Sequence, residues 1–468
     1  VSLASRFTCS GCGAAADPLW PFRCPNAARA EGFDHVLRRE LDPRALSFPA
    51  GDPETQPFLR YRTLLHSYQA ARERGLSDSG YRELVAALDA RVAALEGHGF
   101  TTTPFVRAAE LSATLGFSDE GGVWVKDETG NVAGSHKARH LFEVMLYLAV
   151  LQRVGIHEPG TGAPLAIASC GNAALAAAVV AAAGERELQV FVPRDADEAV
   201  LLRLEELGAQ VEVCDRDAAP GDPTYRRLLD ALAAGALPFT CQGNLNGLAV
   251  EGGVTLAYEL VSALKDTAVT LDRLVVQVGG GALASGCFEG LSEAQALGAL
   301  ARLPRIDTVQ TRGAWPLRRA YERFLERREG HDLQRDLRAA AAARAEYMWP
   351  WEEEPRSIAH GILDDETYDW LALLEAMASS GGEALVVDEE LLARANLLAT
   401  ELTGIPVDAT GSAGLAGLLA LRASGQVAED ERVAVLFTGL SRLTATASRE
   451  RTRNEELPRQ GHPVAQRL

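Results

Sequence analysis

The sequence predicts an α/β protein of two doubly wound α/β domains with a small Cys-containing N-terminal extension. Three observations lead there. Short β-rich runs alternate with helical stretches from about residue 120 onward, the pattern of parallel strands joined by crossover helices. The alternation occurs in two series that meet near residues 242–247. The chain has 468 residues, more than the about 250 to 300 that one hydrophobic core organises.

Taken in order, residues 1–35 form a cysteine knuckle, with "CSGCG" followed by "FRCPN". Residues 36–97 are a helical N-terminal segment: apolar positions recur at helical spacing from Arg60 to Leu95, with Gly75 and Gly97 as stops. The first α/β series then runs through "VWVKDE", a helix from about Ala138 to Val154, "LAIAS", an alanine-rich helix over 173–183, "LQVFVP", a helix over 197–207 and "AQVEVCD". The second contains "RLVVQVGGG", "RIDTVQT" and "RVAVLFTG", apolar strands that run into glycine or a turn. The Arg- and Ala-rich stretch at about 315–365 is a helical insertion, and 446–468 is a polar tail.

A hydrophobic content of 47% and a charged content of 24% are those of an ordinary globular protein. The formal charge of −18 argues against nucleic acid or an anionic membrane as main partner and leaves a small-molecule site open. Apolar runs stay below the roughly 18 residues of a spanning helix, and the first residues lack a basic start followed by an apolar stretch, so a cytoplasmic location is expected. Of seven cysteines, Cys170, Cys214, Cys241 and Cys287 lie singly in apolar surroundings and read as reduced, buried thiols.

Lys137 is one of only three lysines, all other basic positions except histidine being arginine. It heads the apolar stretch "KARHLFEVMLYLAV", a setting that suits a neutral, nucleophilic amine capable of attacking a carbonyl. Arginine cannot form an imine, so a chain that has replaced most lysines must keep one used this way. A Schiff-base lysine needs a carbonyl cofactor, and pyridoxal 5'-phosphate brings a phosphate that must be bound elsewhere. In "VVQVGGGALASG" a strand enters Gly279, Gly280 and Gly281 ahead of a helix, where successive backbone N–H groups can close around an anion; alone, such a triplet is equally a tight turn. In "AIASCGNAAL", Ser169, Gly171, Asn172 and Ala173 offer hydroxyl, amide and N–H groups to a substrate carboxylate, although in isolation a plain helix cap is the simpler reading. "VLFTGLS" ends a strand at Thr438 and Gly439, either a partner for a cofactor ring nitrogen or an ordinary strand-end turn. His98 and His140 read as polar edge residues, and "MWPWEEEP" as a packed turn with a solvated acidic flank.

Together and in this order these pieces resemble the fold type II pyridoxal phosphate enzymes: threonine synthase, the threonine and serine dehydratases, cysteine synthase and the tryptophan synthase β chain. "GHGFTTTPF" is similar to the family's "GxTPL", "VWVKDETGNVAGSHKAR" to "hhhKxExxNxTGSFKxR", "SCGNAA" to "SSGNxA", "AVEGGVTLAYEL" to "xEGxxTxAxEI", "VGGGAL" to the phosphate loop and "LFTG" to the terminal Ser/Thr-Gly turn. The resemblance implies a tryptophan synthase β-like catalytic core over 98–445, with a smaller lobe at about 137–242 and a larger lobe from 98–136 and 243–445. It implies that Lys137 holds pyridoxal phosphate as a Schiff base and shuttles the α-proton, and that Asn172 meets the ring 3-oxygen. Ser169 with the 171–173 backbone would take the substrate carboxylate, Gly279, Gly280, Gly281 and Ala282 the phosphate, and Thr438 the pyridine nitrogen. A homodimer is implied by the family alone.

A hydroxyl partner leaves the ring nitrogen largely unprotonated and so favours elimination over transamination. His136 in place of Phe, Ala138 in place of Asp, and "TGLSR" in place of "TGxxLKD" depart from threonine synthases. The expected activity is therefore a lyase eliminating from a hydroxy or activated amino acid. β- or γ-replacement in threonine synthase or cysteine synthase style is the alternative, and a non-catalytic binding protein retaining the fold a second one. Cys9, Cys12 and Cys24 resemble the ribbon at the start of many threonine synthases, but Ala27 stands where its fourth cysteine belongs. The expectation is a degenerate knuckle without metal; the alternative is a Cys3His zinc set with His35, at an unusual spacing.

Overall fold

The computed structural model describes residues 3–27, 33–156, 162–216, 221–330 and 332–442, so the polar tail expected at 446–468 lies outside the described residues. In chain order the strands are β1 (Ser5–Cys9), β2 (Leu37–Leu41), β3 (Phe105–Arg107), β4 (Gly122–Asp127), β5 (Leu165–Ala168), β6 (Leu188–Pro193), β7 (Gln210–Cys214), β8 (Leu237–Pro238), β9 (Arg273–Gln277), β10 (Arg305–Thr311), β11 (Ala384–Val387) and β12 (Arg432–Phe437). They form a two-stranded hairpin of β1 and β2, a six-stranded sheet in the order β11-β10-β9-β12-β4-β3, and a four-stranded sheet in the order β7-β6-β5-β8. Apart from the antiparallel β3, the two larger sheets are parallel throughout. The parallel strands are nearly continuous apolar runs because helices cover both faces; β9 and β12 bury Leu274, Val275, Val276, Val433, Val435 and Leu436 completely.

The helix Lys137–Arg153 is buried on almost every side, from Ala138 through Leu148, which is why its sequence is apolar beyond a single stripe. Upstream, the helix Asp78–Glu96 is capped by the Ser77 hydroxyl and stopped by Gly97 in the left-handed region at φ 84°. The segment read as helical from residue 36 begins instead as strand β2, because Leu37 and Arg39 point inward while pairing with β1. Residues 315–365 include the helices Pro316–Arg327 and Leu333–Ala342, packed against the helix Trp370–Ser380.

Charge is buried in several places among the described residues, two of which tie distant parts of the chain together. Arg39 is 4% exposed and meets Glu251 at 2.6 Å, Glu293 at 2.8 Å and Glu289 at 3.2 Å, tying the N-terminal hairpin to the larger lobe. Lys126 and Arg139 share Glu259, at 2.5 and 2.7 Å, while Arg139 also holds Glu128 at 2.8 Å; all four are buried. Burial of such ions is favourable only because each finds several partners.

Three expectations need correction. His140 is fully buried rather than at an edge, with Nδ1 2.6 Å from the Ala249 carbonyl, because its helix has no exposed face there. Cys170 and Cys214 are only half-buried: the first lies in the open turn after β5, the second at the end of edge strand β7.

Candidate active site

Ser169, Gly279 and Thr438 stand just beyond the C-terminal ends of parallel strands β5, β9 and β12, the side of an open α/β sheet where ligands bind, and Lys137 follows β4 after the loop from Glu128 to His136. Strand β12 lies between β9 and β4, so the turn at Thr438 is flanked by the glycine run on one side and the approach to Lys137 on the other. That approach is locked to the β12 turn: Ser135 bridges Gly439, and Leu440 N–H donates to the Gly134 carbonyl at 2.9 Å. Ala133 and Gly134 both adopt left-handed backbone, at φ 55° and 67°, to make the reversal that delivers half-buried Lys137 to its helix start. The His136 ring reaches back to the Thr438 carbonyl at 3.4 Å.

The glycine run forms a tight passage into the helix Ala282–Ala296. Gly281 sits at φ 107°, and no side chain caps the helix there. A Cβ on Gly280 would meet the Tyr368 ring at 2.8 Å, and one on Gly279 would overlap the Asp364 carboxylate, so both positions need glycine. The segment over 362–369 wraps this run: Thr367 donates to the Gly279 carbonyl at 3.0 Å, and Asp369 N–H donates to the Gly280 carbonyl at 3.0 Å. The Asp364 carboxylate borders the run, 3.7 Å from where a Cβ on Gly280 would stand, and the Gly280 N–H favours its charged form. A carboxylate therefore already sits at the glycine loop, and the loop fits an anionic group such as a phosphate.

Desolvation pushes the half-buried Asp364 carboxyl up to about 6, with the Lys137 ammonium pulling the other way. Burial pushes Asp369 up to about 8; the Asp34 charge adds to this and Lys137 opposes it. Lys137 thus exerts its charge on both carboxyls that border the glycine run. Ser135 Oγ, His136 Nε2, Gln242 Oε1, Asn244 Oδ1 and Asp369 Oδ2 are buried without a hydrogen-bond partner among the described residues, polar atoms that a ligand can satisfy.

Asn172 opens the helix Asn172–Ala183, and Ser169, Gly171 and Ala173 are half-buried around its N-terminus. The Gly171 N–H donates to the Ser169 hydroxyl at 3.4 Å. Asn172 Oδ1 accepts from Arg442 at 2.8 Å, and its amide favours the charged form of the neighbouring Asp408 carboxyl. Thr438 is 3% exposed, and its hydroxyl lies 2.7 Å from Gln277 Nε2. The two hydrogens of that nitrogen are shared between the Thr438 hydroxyl and the carbonyls of Gly411 at 2.9 Å and Leu436 at 3.1 Å. An amide nitrogen cannot accept, so the Thr438 proton remains available to another acceptor.

Sequence reasoning missed Asp364, Tyr368, Asp369, Gln277 and Asp408. Only "GILDDETYDW", an acidic run following the arginine-rich stretch, offered a signal for the first three. At the N-terminus the ligand atoms of Cys9, Cys12, Cys24 and His35 all lie within 4.8 Å of one another. The vacancy expected at Ala27 is thus filled by His35, brought in by the chain that leads into β2.

Residues 98–439 match the family model described as pyridoxal-phosphate dependent enzyme. Among curated proteins, the threonine synthase of Methanocaldococcus jannaschii is 26% identical over 340 residues, covering 72% of this chain and 74% of that one. The threonine synthase of Mycobacterium bovis is 27% identical over 342 residues, covering 72% and 80%. Among solved structures, diaminopropionate ammonia lyase from Escherichia coli matches with a TM-score of 0.57 at 16% identity, over 80% of this chain and 92% of that chain. A fungal L-serine ammonia-lyase from Rhizomucor miehei matches with a TM-score of 0.55 at 20% identity, over 75% and 98%. At these identities the structural matches bear on the fold.

Proposed function

The chain belongs to the pyridoxal-phosphate-dependent enzymes, and we propose that within this family it is a lyase that eliminates a β- or γ-substituent from a hydroxy or activated amino acid. The bound cofactor supplies an aldehyde that captures amines and a conjugated ring that accepts electrons from Cα. Lys137 would hold the cofactor and carry the α-proton. Gly279, Gly280, Gly281 and Ala282 would take its phosphate, and Ser169 with the 171–173 backbone the substrate carboxylate. Asn172 would hydrogen-bond the cofactor, for which its amide would have to leave Asp408.

The observation that carries elimination over transamination is the contact between Gln277 and Thr438. It leaves a neutral hydroxyl as donor at the end of β12, a partner that does not protonate a pyridine nitrogen. β- or γ-replacement uses the same groups and differs in the nucleophile admitted, in keeping with the threonine synthases among the relatives.

The test uses the full-length protein with pyridoxal phosphate. Expected are a visible absorption band, borohydride fixation of the cofactor on Lys137 located by peptide mass, and release of keto acid and ammonia from L-serine, L-threonine or 2,3-diaminopropionate. Product formed only with an added nucleophile would assign replacement instead, and label on a residue other than Lys137 would sink the site. We further read the protein as a cytoplasmic homodimer without a nucleic acid or membrane partner. The charge of −18 supports the part of this reading that concerns nucleic acid and anionic membranes, and no described helix is long and apolar enough to cross a membrane; the dimer rests on the family alone. Sedimentation velocity checks the dimer.

A further inference from the structure

The four ligand atoms at the N-terminal knuckle have the spacing of a coordination shell. Cys12 Sγ and Cys24 Sγ are 3.6 Å apart, and His35 Nδ1 lies 3.4 Å from Cys24 Sγ and 3.7 Å from Cys9 Sγ. A tetrahedral zinc with bonds of about 2.3 Å to sulfur and 2.0–2.1 Å to nitrogen requires edges of roughly 3.5–3.8 Å. A disulfide requires sulfurs about 2.05 Å apart, which these are not, and all seven cysteines are free. Around the set, hydrogens point at sulfur. The Cys12 N–H donates to Cys9 Sγ at 3.5 Å, the Asn26 N–H to Cys24 Sγ at 3.4 Å, and the Asn26 side-chain amide to Cys12 Sγ at 3.4 Å. Donors so arranged stabilise thiolates, the form in which cysteine binds metal.

From this geometry we propose that Cys9, Cys12, Cys24 and His35 bind one zinc ion in a closed structural site, with His35 coordinating through Nδ1. Its task is to fix the chain around Asp34 against the catalytic lobe. Asp34, next to the histidine ligand, accepts from Trp370 Nε1 at 2.5 Å and lies 3.5 Å from Arg344 Nε. The neighbour of Trp370 is Asp369, whose N–H holds the Gly280 carbonyl of the anion loop. On the other side of the knuckle the Phe22 carbonyl accepts from Gly247 at 2.8 Å. The metal thus stands two contacts away from the glycine run, and its chemistry is support rather than catalysis.

The test measures metal in the full-length holoenzyme purified under reducing conditions without chelator. One zinc per chain by plasma mass spectrometry is expected, together with a visible tetrahedral thiolate spectrum on cobalt(II) substitution. His35→Ala and Cys24→Ser lose the metal and lower Tm, whereas His35→Cys, which restores a four-ligand set, retains zinc. The His35→Cys arm separates coordination from mere packing, since a structural role for the imidazole alone would not be rescued by a thiol. Wild-type protein with under a tenth of an equivalent of zinc and no cobalt spectrum, metal content unchanged in His35→Ala, or a Cys12–Cys24 disulfide by mass would each overturn the proposal.

Discussion

Gln277 donates its side-chain amide to the Thr438 hydroxyl at 2.7 Å, at the point where two neighbouring parallel strands, β9 and β12, reach the candidate active site. Thr438→Val removes the hydroxyl while keeping shape. One hydrogen bond of about 1–1.5 kcal/mol corresponds to a fall of roughly tenfold in kcat for elimination. Thr438→Ser is expected to stay within about threefold, since it keeps the donor. Steady-state kinetics on the substrate identified by keto acid release decide the matter, and equal loss in both variants would remove Thr438 from its assigned role.

Asp364 borders the glycine run, and the Gly280 N–H that favours its charged form is a donor an incoming phosphate would need. With its carboxyl raised to about 6, it is ionised at pH 8 and competes there for the loop. Asp364→Asn is therefore expected to bind pyridoxal phosphate several-fold more tightly at pH 8, with the difference shrinking below about pH 6. Absorbance titration of the apoprotein with cofactor at both pH values measures this.

Arg139 is enclosed by Glu128 and Glu259 two positions after Lys137. Arg139→Met leaves both carboxylates buried with fewer partners, and the loss of stability expected from breaking such a cluster is about 3–5 kcal/mol. Adding Glu128→Gln should restore part of it. Urea unfolding of the single and double variants measures the coupling, and strict additivity would contradict the shared network.

His66 is fully buried between the Ser5 hydroxyl at 2.6 Å and the Pro18 carbonyl at 3.0 Å, and burial lowers its pKa to about 4 from an ordinary 6.5. The unfolded chain therefore binds the proton more readily, so stability falls as pH drops through that interval. Between pH 7 and pH 5 the loss attributable to His66 is about 2 kcal/mol. Comparing urea midpoints of wild type and His66→Gln at the two pH values isolates it from the acids whose raised values act in the opposite direction. Parallel pH profiles would refute the assignment.

Much of the candidate site was proposed from sequence because its pieces are local. The lysine, the serine–glycine–asparagine turn, the glycine triplet and the terminal threonine each sit at a strand-to-loop passage marked by an apolar run and small residues. What stayed hidden is what reaches across. Asp364 and Asp369 come from a segment without periodic pattern and meet the glycine run through the fold alone. Burial of Lys126 was invisible because its partner, Glu259, lies 133 positions away, and a charged residue in a strand reads as surface until that partner is known. His35 was visible only as a spacing that fits no familiar set; the hairpin of β1 and β2 makes the spacing irrelevant by folding the chain back on itself.

The ionic socket around Arg39 has a bearing on how this polypeptide is made. Its carboxylate partners lie 212 to 254 positions downstream, so during translation the guanidinium leaves the ribosome long before anything can neutralise it. The segment that carries Arg39 is without these carboxylates until synthesis has passed Glu293. Docking of the first hairpin is therefore a late event, a clasp that closes over a lobe already assembled.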